Sequence, residues 1–507
     1  MVDKQTYWKL LPTGSQPGRL YGMAKRHKQG CPLRPVLSAI GTAEYSLAKW
    51  FEGEIRPFLD DKWSVSSSTC FVSELNNIRP CIDDICVSFD IKSLYTNVPL
   101  QEVIDDVTQV LYNDTSNSIF KSNGITQRVF KNMLQACSES IFLFNSKVYK
   151  QIDGLAMGSP LAPLLANWFV AKVEKSLLSN KSINQPKFYR RYVDDIFAVF
   201  TSKEDRDIFF EHLNNAHKNL SFTMENVNTA TNSLPFLDVE ISITAPNNFS
   251  IQVYRKPTNT NVIMNFHAMV PDRWKVSLIR CFLQRAKRLS STQELLDKEI
   301  TTIKQIFMSN GYPEDFIVDN ISSYFESTKE HNIPPCIESE EQDQLQRKYM
   351  VLPYMGKCSE KLHHRIKRVM LQYGFRVLPA FRTTKVASYF SLKMKIPILF
   401  KNNVVYRFKC LCDKDTQYIG ETERQFFQRI AEHCKPSQNI SAVFNHLNQC
   451  TDCEKSENIA ECFTILRQCN RTDVLSQEAL CIKRFQPSLN IQLGPYKGSR
   501  VGMTVFN

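Results

Sequence analysis

Two adjacent aspartates, Asp194 and Asp195, interrupt an otherwise apolar run, FYRRYVDDIFAVF at 188–200. Val, Ile and Phe at this density favour β-structure, and the acidic pair falls where a hairpin would turn. Adjacent carboxylates at a tight turn repel each other unless positive charge lies between them, and hard Mg²⁺ takes oxygen ligands. A solvated turn is the competing reading of this short stretch alone. Upstream, Ile85, Val87, Phe89 and Ile91 alternate with Ser88 and Asp90, which predicts a half-buried strand with Asp90 near its end. Between the two acidic strands lies QIDGLAMGSP, 151–160. Its two glycines are expected to let the backbone approach a ligand closely. Ser159 and Pro160 then open a predicted helix running from 161 to about 178. The predicted order is acidic strand, Gly-rich turn and helix, acidic hairpin.

In this order FDIKSLYTNVPL (89–100), QIDGLAMGSPLAPLLANWFV (151–170) and FYRRYVDDIF (188–197) resemble the palm motifs of a reverse transcriptase. The wording is similar to that of Penelope-like retroelements, as are RPVLS (34–38), LPFLDVEI (234–241) and YRKPTNTN (254–261). The matches cover roughly residues 20–290, and their specificity lies in the combination. The implied fold class is α+β and multidomain: a right-hand fingers, palm and thumb polymerase with a small C-terminal α/β nuclease domain.

At 507 residues the chain is long enough for two to four domains, and a hydrophobic content of 43% supports real cores. A formal charge of +12 suits an anionic partner such as nucleic acid. No run of 18 apolar residues occurs, so no membrane span is expected. The first residues lack an apolar core of the kind found in secretory signals. The 16 cysteines are scattered before residue 400 and clustered after Cys410, a pattern expected of free thiols plus a metal site in a reducing compartment.

Four segments follow. Residues 1–80 are basic and turn-rich, and beside a palm would be the fingers. Because GRLYG begins by residue 18 and Gly22-Met23-Ala24-Lys25 departs from the proline-containing form of the family, these fingers are expected to be N-terminally incomplete. Lys25, Lys28 and Arg34 are candidate cations for a triphosphate, Arg34 foremost because a guanidinium forks onto phosphate; solvated basic loops are the competing reading. Residues 81–265 are the palm. Residues 266–390 are a thumb and linker, expected to be helical. Over 274–289 an apolar stripe of Leu278, Ile279, Phe282, Leu283, Ala286 and Leu289 is ringed by Arg273, Lys275, Arg280, Arg285, Lys287 and Arg288, and those cations are expected to face duplex phosphates. The acidic run 338–341 reads as a linker, and KLHHRIKR (361–368) as a weak nuclear-entry signal.

From about residue 391 the pattern changes. Short strands are predicted around Tyr406 and Tyr418-Ile419-Gly420, then a helix carrying Arg429 and His433 four residues apart, a second helix carrying Glu478, and Asn490. These residues resemble a GIY-YIG endonuclease, with Val-Val-Tyr in place of the first Gly-Ile-Tyr. Penelope-like elements are known for carrying such a nuclease at the C-terminus, so two independent modules imply one family. In that resemblance Tyr406 or Tyr418 serves as base, Arg429 holds the scissile phosphate and Glu478 ligates one Mg²⁺. Cys410, Cys412, His446 and Cys450 form the candidate structural Zn²⁺ site, with Cys453 or His433 as rivals for the last place.

For the polymerase the resemblance implies nucleotidyl transfer with two Mg²⁺ about 4 Å apart. Asp90 and Asp194 would bridge them, with Asp195 a weaker or structural participant. Tyr95 would be the wall that rejects a ribose 2′-hydroxyl; Gln151 and Gly154 would support template and incoming nucleotide. LPFLDVEI would approach the primer end, with Asp238 there equally suited to capping a turn. The implied partners are element RNA as template, genomic DNA as target and primer, and deoxynucleotides. Target-primed copying in the nucleus after cytoplasmic synthesis is the implied function. A telomerase-like or group II intron-type enzyme is a competing reading, disfavoured by the tyrosine-based nuclease. A degenerate or domesticated nucleic-acid-binding protein is another.

Overall fold

The structure is a computed structural model. It describes all residues except 1–3, 13, 26–29, 114–118, 146, 181–182, 245–246, 331–345, 386–388, 391–394, 412, 414, 436–440, 451–458 and 491–507. The chain divides into two compact units. One holds 1–61, 93–172 and 392–507, the other 62–92 and 173–391; the segment 81–265 contributes to both.

In the first unit, strand Gly18–Ala24 pairs antiparallel with Leu33–Ser38 and parallel with Ile141–Phe144, which continues antiparallel to Lys147–Lys150. Helices Tyr45–Ile55, Leu100–Asn113 and Gln127–Ser138 lie in the same unit. Phe51, Phe120 and Phe130 are fully buried, with the Phe120 and Phe130 ring centroids 4.7 Å apart. Helices begin where their caps dictate: the Thr126 hydroxyl accepts from the Val129 amide, as a free N-terminal donor requires. Toward the C-terminus of the same unit, Val404–Lys409 is the centre of a three-stranded antiparallel sheet between Gln417–Thr422 and Phe463–Gln468. Its alternate residues serve two cores. Val404, Tyr406 and Phe408 join Phe426, Ile430, Val443 and Phe463, while Val405 joins Ile419, Val474 and Cys481.

The second unit contains the antiparallel sheet in the order Phe188–Tyr192, Asp195–Phe200, Ile85–Ile91, Phe222–Asn226. Ile85–Ile91 is more enclosed than alternation suggests. Cys86, Val87, Ser88 and Phe89 are all buried, because both sheet faces are covered until Asp90. A second antiparallel sheet joins Leu234–Phe236, Val239–Thr244 and Asn248–Val253. Phe71 on helix Ser68–Leu75 packs with Phe197 and Phe236. Three helices follow, Asp272–Leu289, Gln293–Ser309 and Glu314–Glu330. The expected stripe is real: Ile279, Leu283, Ala286 and Leu289 are buried. The ring of cations around it is not uniformly free for phosphates. Arg285 pairs with Asp238 at 3.3 Å, Lys275 with Asp272 at 3.0 Å, and the Arg273 guanidinium lies 5.6 Å from the Phe381 ring centre.

The expectation that 266–390 is helical fails near its end. Gln346–Pro353 and Phe375–Arg382 are parallel strands joined through helix Lys357–Gln372. Pro353 and Gly356 break the chain before the helix, and Gly374, at φ +77°, turns it into the second strand. The acidic run at 338–341, and Lys28, lie outside the described residues. Among the described residues no helix is long and apolar enough to cross a membrane.

Candidate active sites

Asp90 and the adjacent pair Asp194-Asp195, about a hundred residues apart in sequence, converge in the second unit. The ladder between Ile85–Ile91 and Asp195–Phe200 sets Asp90 directly opposite Asp195. Side chains of opposed residues in an antiparallel pair share a face. The Ile91 amide donates to the Asp194 carbonyl at 3.0 Å, which fixes the hairpin turn against the end of Asp90's strand. The consequence is electrostatic. Burial, the Asp194 charge and the Asp90 charge push the Asp195 carboxyl up to about 6; Lys256 opposes the shift and Glu225 adds to it. Clustered carboxylate oxygens are a fitting donor set for a hard divalent cation. Asp90 and Asp195 face a cleft of about 640 Å³ whose lining also includes Ser66, Tyr192, Asp238, Tyr254 and Lys256.

The acidic turn is held from beneath. Val193 has φ +57°, a left-handed conformation that is costly for a β-branched residue. The fully buried Arg191 guanidinium donates to the Val193 carbonyl at 3.1 Å and to Glu174 Oε1 at 2.7 Å. The Tyr189 hydroxyl donates to the same Glu174 oxygen at 2.8 Å. Sequence reading missed this group. Its only signal is a charged residue within an apolar strand and another within an apolar helix. Asp238 accepts from Ser68 at 3.1 Å and pairs with Arg285, so its carboxylate joins elements rather than capping its own turn.

The candidate substrate residues Lys25, Arg34, Tyr95, Gln151 and Gly154 lie in the first unit. Arg34 is exposed and stands opposite Met23 in the ladder. The Lys25 amide donates to the Pro32 carbonyl at 2.9 Å, closing that hairpin. The Tyr95 carbonyl accepts from the Leu155 amide at 2.7 Å, and the Gln151 side chain donates to the Asp153 carbonyl at 2.8 Å. The glycines need a different explanation from the expected one. A Cβ on Gly154 (φ +74°) would lie 2.6 Å from the Thr96 carbonyl oxygen, and one on Gly158 (φ +119°) 2.0 Å from that of Leu37. What these glycines accommodate is a close approach of the chain's own backbone.

In the C-terminal part of the first unit, Tyr406, Tyr418, Arg429, His433 and Glu478 come together. Tyr406 is fully buried. Its hydroxyl accepts from Arg429 Nε at 3.1 Å and meets His433 Nε2 at 2.7 Å. His433 Nδ1 lies 2.8 Å from Ser441 Oγ, which also accepts from the Phe444 amide. This network assigns the proton to Nδ1, leaving Nε2 to accept from the tyrosine. Burial and the Arg429 charge lower His433 to about 4, so it is neutral at physiological pH. Burial raises both tyrosines, Tyr406 most strongly. Glu478 is pushed up to about 7, by burial first and then by Glu421, with Arg429 opposing. Glu421, absent from the sequence-based candidates, has a buried Oε2 with no hydrogen-bond partner. Its signal is its place directly after Tyr418-Ile419-Gly420. Asn490 belongs to the scaffold: its Oδ1 accepts from the Ile419 amide and its Nδ2 donates to the Ile419 carbonyl, both at 2.8 Å. That bidentate clamp holds the strand of Tyr418 and leaves its amide engaged with backbone.

Cys410, His446 and Cys450 place one ligand atom each within 4.8 Å of one another. The Cys410 and Cys450 sulfurs are 3.9 Å apart, and His446 Nε2 is buried without a hydrogen-bond partner. Soft thiolates beside such an imidazole nitrogen fit Zn²⁺. Cys412 and Cys453 lie outside the described residues. His433 is committed to Tyr406 and Ser441 and is no rival ligand.

Residues 66–232 match the family model described as reverse transcriptase (RNA-dependent DNA polymerase), and residues 262–322 that of an animal helix-turn-helix domain. The telomerase reverse transcriptase of Euplotes aediculatus is 22% identical over 220 residues, covering 41% of this chain but only 20% of that protein. Among solved structures, telomerase from Candida albicans with a fragment of telomeric RNA is 12% identical, with 64% of this chain and 60% of that one covered at a TM-score of 0.43. The Sicinivirus 3Dpol RNA-dependent RNA polymerase is 10% identical, covering 64% and 72% at a TM-score of 0.38. The stretch with Asp90, Asp194 and Asp195 is therefore a reverse transcriptase domain.

Proposed function

We propose that this chain is an RNA-directed DNA polymerase of the Penelope-like kind, coupled to a GIY-YIG endonuclease, which copies retroelement RNA at a nicked genomic target. The observation that carries the polymerase reading is the register that sets Asp90 opposite Asp195, beside Asp194, within the stretch matching reverse transcriptases. Asp90 and Asp194 would hold two Mg²⁺, with Asp195 in support; when bound, such ions stabilise charge on attacking and leaving oxygens. Arg191 and Glu174 fix the turn that presents the carboxylates. Lys25 and Arg34 would neutralise the incoming triphosphate, Tyr95 would exclude a 2′-hydroxyl, and Gln151 and Gly154 would shape the path of the template.

The tyrosine cluster supports phosphodiester cleavage, and it divides the two tyrosines by role. Tyr406 is sealed from solvent, and its hydroxyl is held by His433 and Arg429, which suits positioning. Tyr418 is only partly buried and suits the base. Arg429 would bind the scissile phosphate, and Glu478, with Glu421 beside it, would ligate one Mg²⁺, which supplies charge neutralisation at that phosphate when bound. Cys410, Cys412, His446 and Cys450 would hold a structural Zn²⁺. The reaction is assigned to the nucleus after cytoplasmic synthesis.

The test incubates purified protein with supercoiled plasmid, RNA, deoxynucleotides and Mg²⁺. Nicks that become extended are expected. E478Q should abolish nicking while sparing extension of a supplied primer, and D194A should do the reverse. Binding of RNA and plasmid with neither reaction would support the domesticated-binder reading.

A further inference from the structure

Residues 346–382 hold nine Lys and Arg against one acidic residue, Glu360, a net +8 of the chain's +12. Glu360 already accepts from the Tyr354 hydroxyl at 3.1 Å. On helix Lys357–Gln372 the cations Lys357, Lys361, Arg365 and Arg368 recur at steps of four, four and three, and all four are exposed. That spacing aligns them on one side, about 6 Å apart along the axis per four-residue step. Among the described residues none of the four is in an ion pair. The opposite side of the helix docks onto the strands through buried His363, whose Nε2 lies 3.3 Å from the Val377 carbonyl. Fold stability therefore does not require the charged row, and like charges on one helix face repel. The same helix ends at an exposed aromatic ring, Tyr373 at 71%.

We propose that this strand-helix-strand module binds single-stranded RNA, with the row of Lys357, Lys361, Arg365 and Arg368 on the phosphates and Tyr373, at the end of the same helix, stacking on an unpaired base. The charge row selects a polyanion without reading sequence. The exposed ring selects a strand whose bases are unpaired, since paired bases offer no free faces. The choice of RNA over DNA rests on the proposed function, in which the unpaired strand is the template.

The test measures fluorescence anisotropy of the full chain with labelled single-stranded RNA, single-stranded DNA and duplex DNA across a salt series. The K361A/R365A/R368A variant should bind single-stranded RNA at least tenfold more weakly, and its salt slope should fall by about 2, three contacts at roughly 0.7 each. The charge-retaining K361R/R365K/R368K variant should restore both. Y373A should weaken binding with the salt slope unchanged. D194A, measured alongside, should lose primer extension and keep the RNA affinity, which separates failure of this inference from failure of the polymerase reading. Unchanged affinity and slope in the alanine triple would overturn the proposal. So would a loss confined to duplex DNA, or one confined to single-stranded DNA.

Discussion

At the residue scale the acidic cluster is an unfavourable feature of the metal-free protein. The Asp195 carboxyl is raised to about 6 from an ordinary value near 3.8. An acid raised by folding contributes stability below its unfolded value and loses that contribution as pH rises through the folded one. Without divalent cations, D195N should therefore raise the melting temperature at pH 8 and change it little at pH 4. With Mg²⁺ that advantage should shrink, because the ion offsets the repulsion that the wild type carries and D195N has already shed; equal Mg²⁺ responses of the two proteins would contradict the assignment. Arg191 belongs to the same argument. R191M alone leaves Glu174 charged and buried, a loss of about 3–5 kcal/mol in denaturant unfolding. R191M/E174M should recover most of that stability, since apolar groups of similar volume replace a buried pair well. Extension should stay impaired in the double variant, with a raised Mg²⁺ requirement, because nothing then grips the Val193 carbonyl. Full recovery of extension with stability would reduce the pair to packing.

At the element scale, what sequence could foretell follows from how local each signal is. The strand around Asp90 and the hairpin around Asp194 were legible because β-branched and aromatic residues repeat within a few positions. So were both C-terminal strands and the helix of Arg429 and His433. The pairing of Arg191 with Glu174 was not, because it joins two elements through a tertiary contact that leaves no periodic trace. Strands Gln346–Pro353 and Phe375–Arg382 were missed because their cations mask the apolar pattern. Gly158 was legible as special, but what it accommodates was not. Its φ and its closeness to Leu37 predict that G158A costs several kcal/mol, with the backbone forced to move. Thermal unfolding checks this; a near-neutral G158A would show that the two backbones do not abut. The thiol and imidazole cluster gives an elemental prediction. The purified chain should carry one zinc by emission spectrometry, and C450S or H446A should lose it together with nicking; a fully active, zinc-free wild type would refute the site.

At the scale of the whole molecule, the proposed function gives two sets of carboxylates two reactions, one set on the sheet of Asp90 and Asp195 and the other made of Glu478 on helix Val474–Phe485 and Glu421 on strand Gln417–Thr422. Their proton affinities differ in a usable way. Glu478, near 7, must lose its proton to ligate a cation, so nicking should rise as pH climbs through about 7. Extension, governed by the cluster around Asp195, should already be established above about 6. A shared pH profile for both reactions would argue that one step limits both. The animal helix-turn-helix match over 262–322 covers two helices and part of a third that the resemblance had assigned to a thumb. On the inference above, the basic module at 346–382 would add a second nucleic-acid-binding surface to that of the palm. The most direct measurement of the central claim is primer extension on an RNA template with Mg²⁺ and deoxynucleotides, comparing wild type with D90N, D194N and D195N. The account predicts extension by the wild type and a loss of at least a hundredfold in D90N and D194N, with D195N less affected. Undiminished extension in D90N or D194N would contradict it.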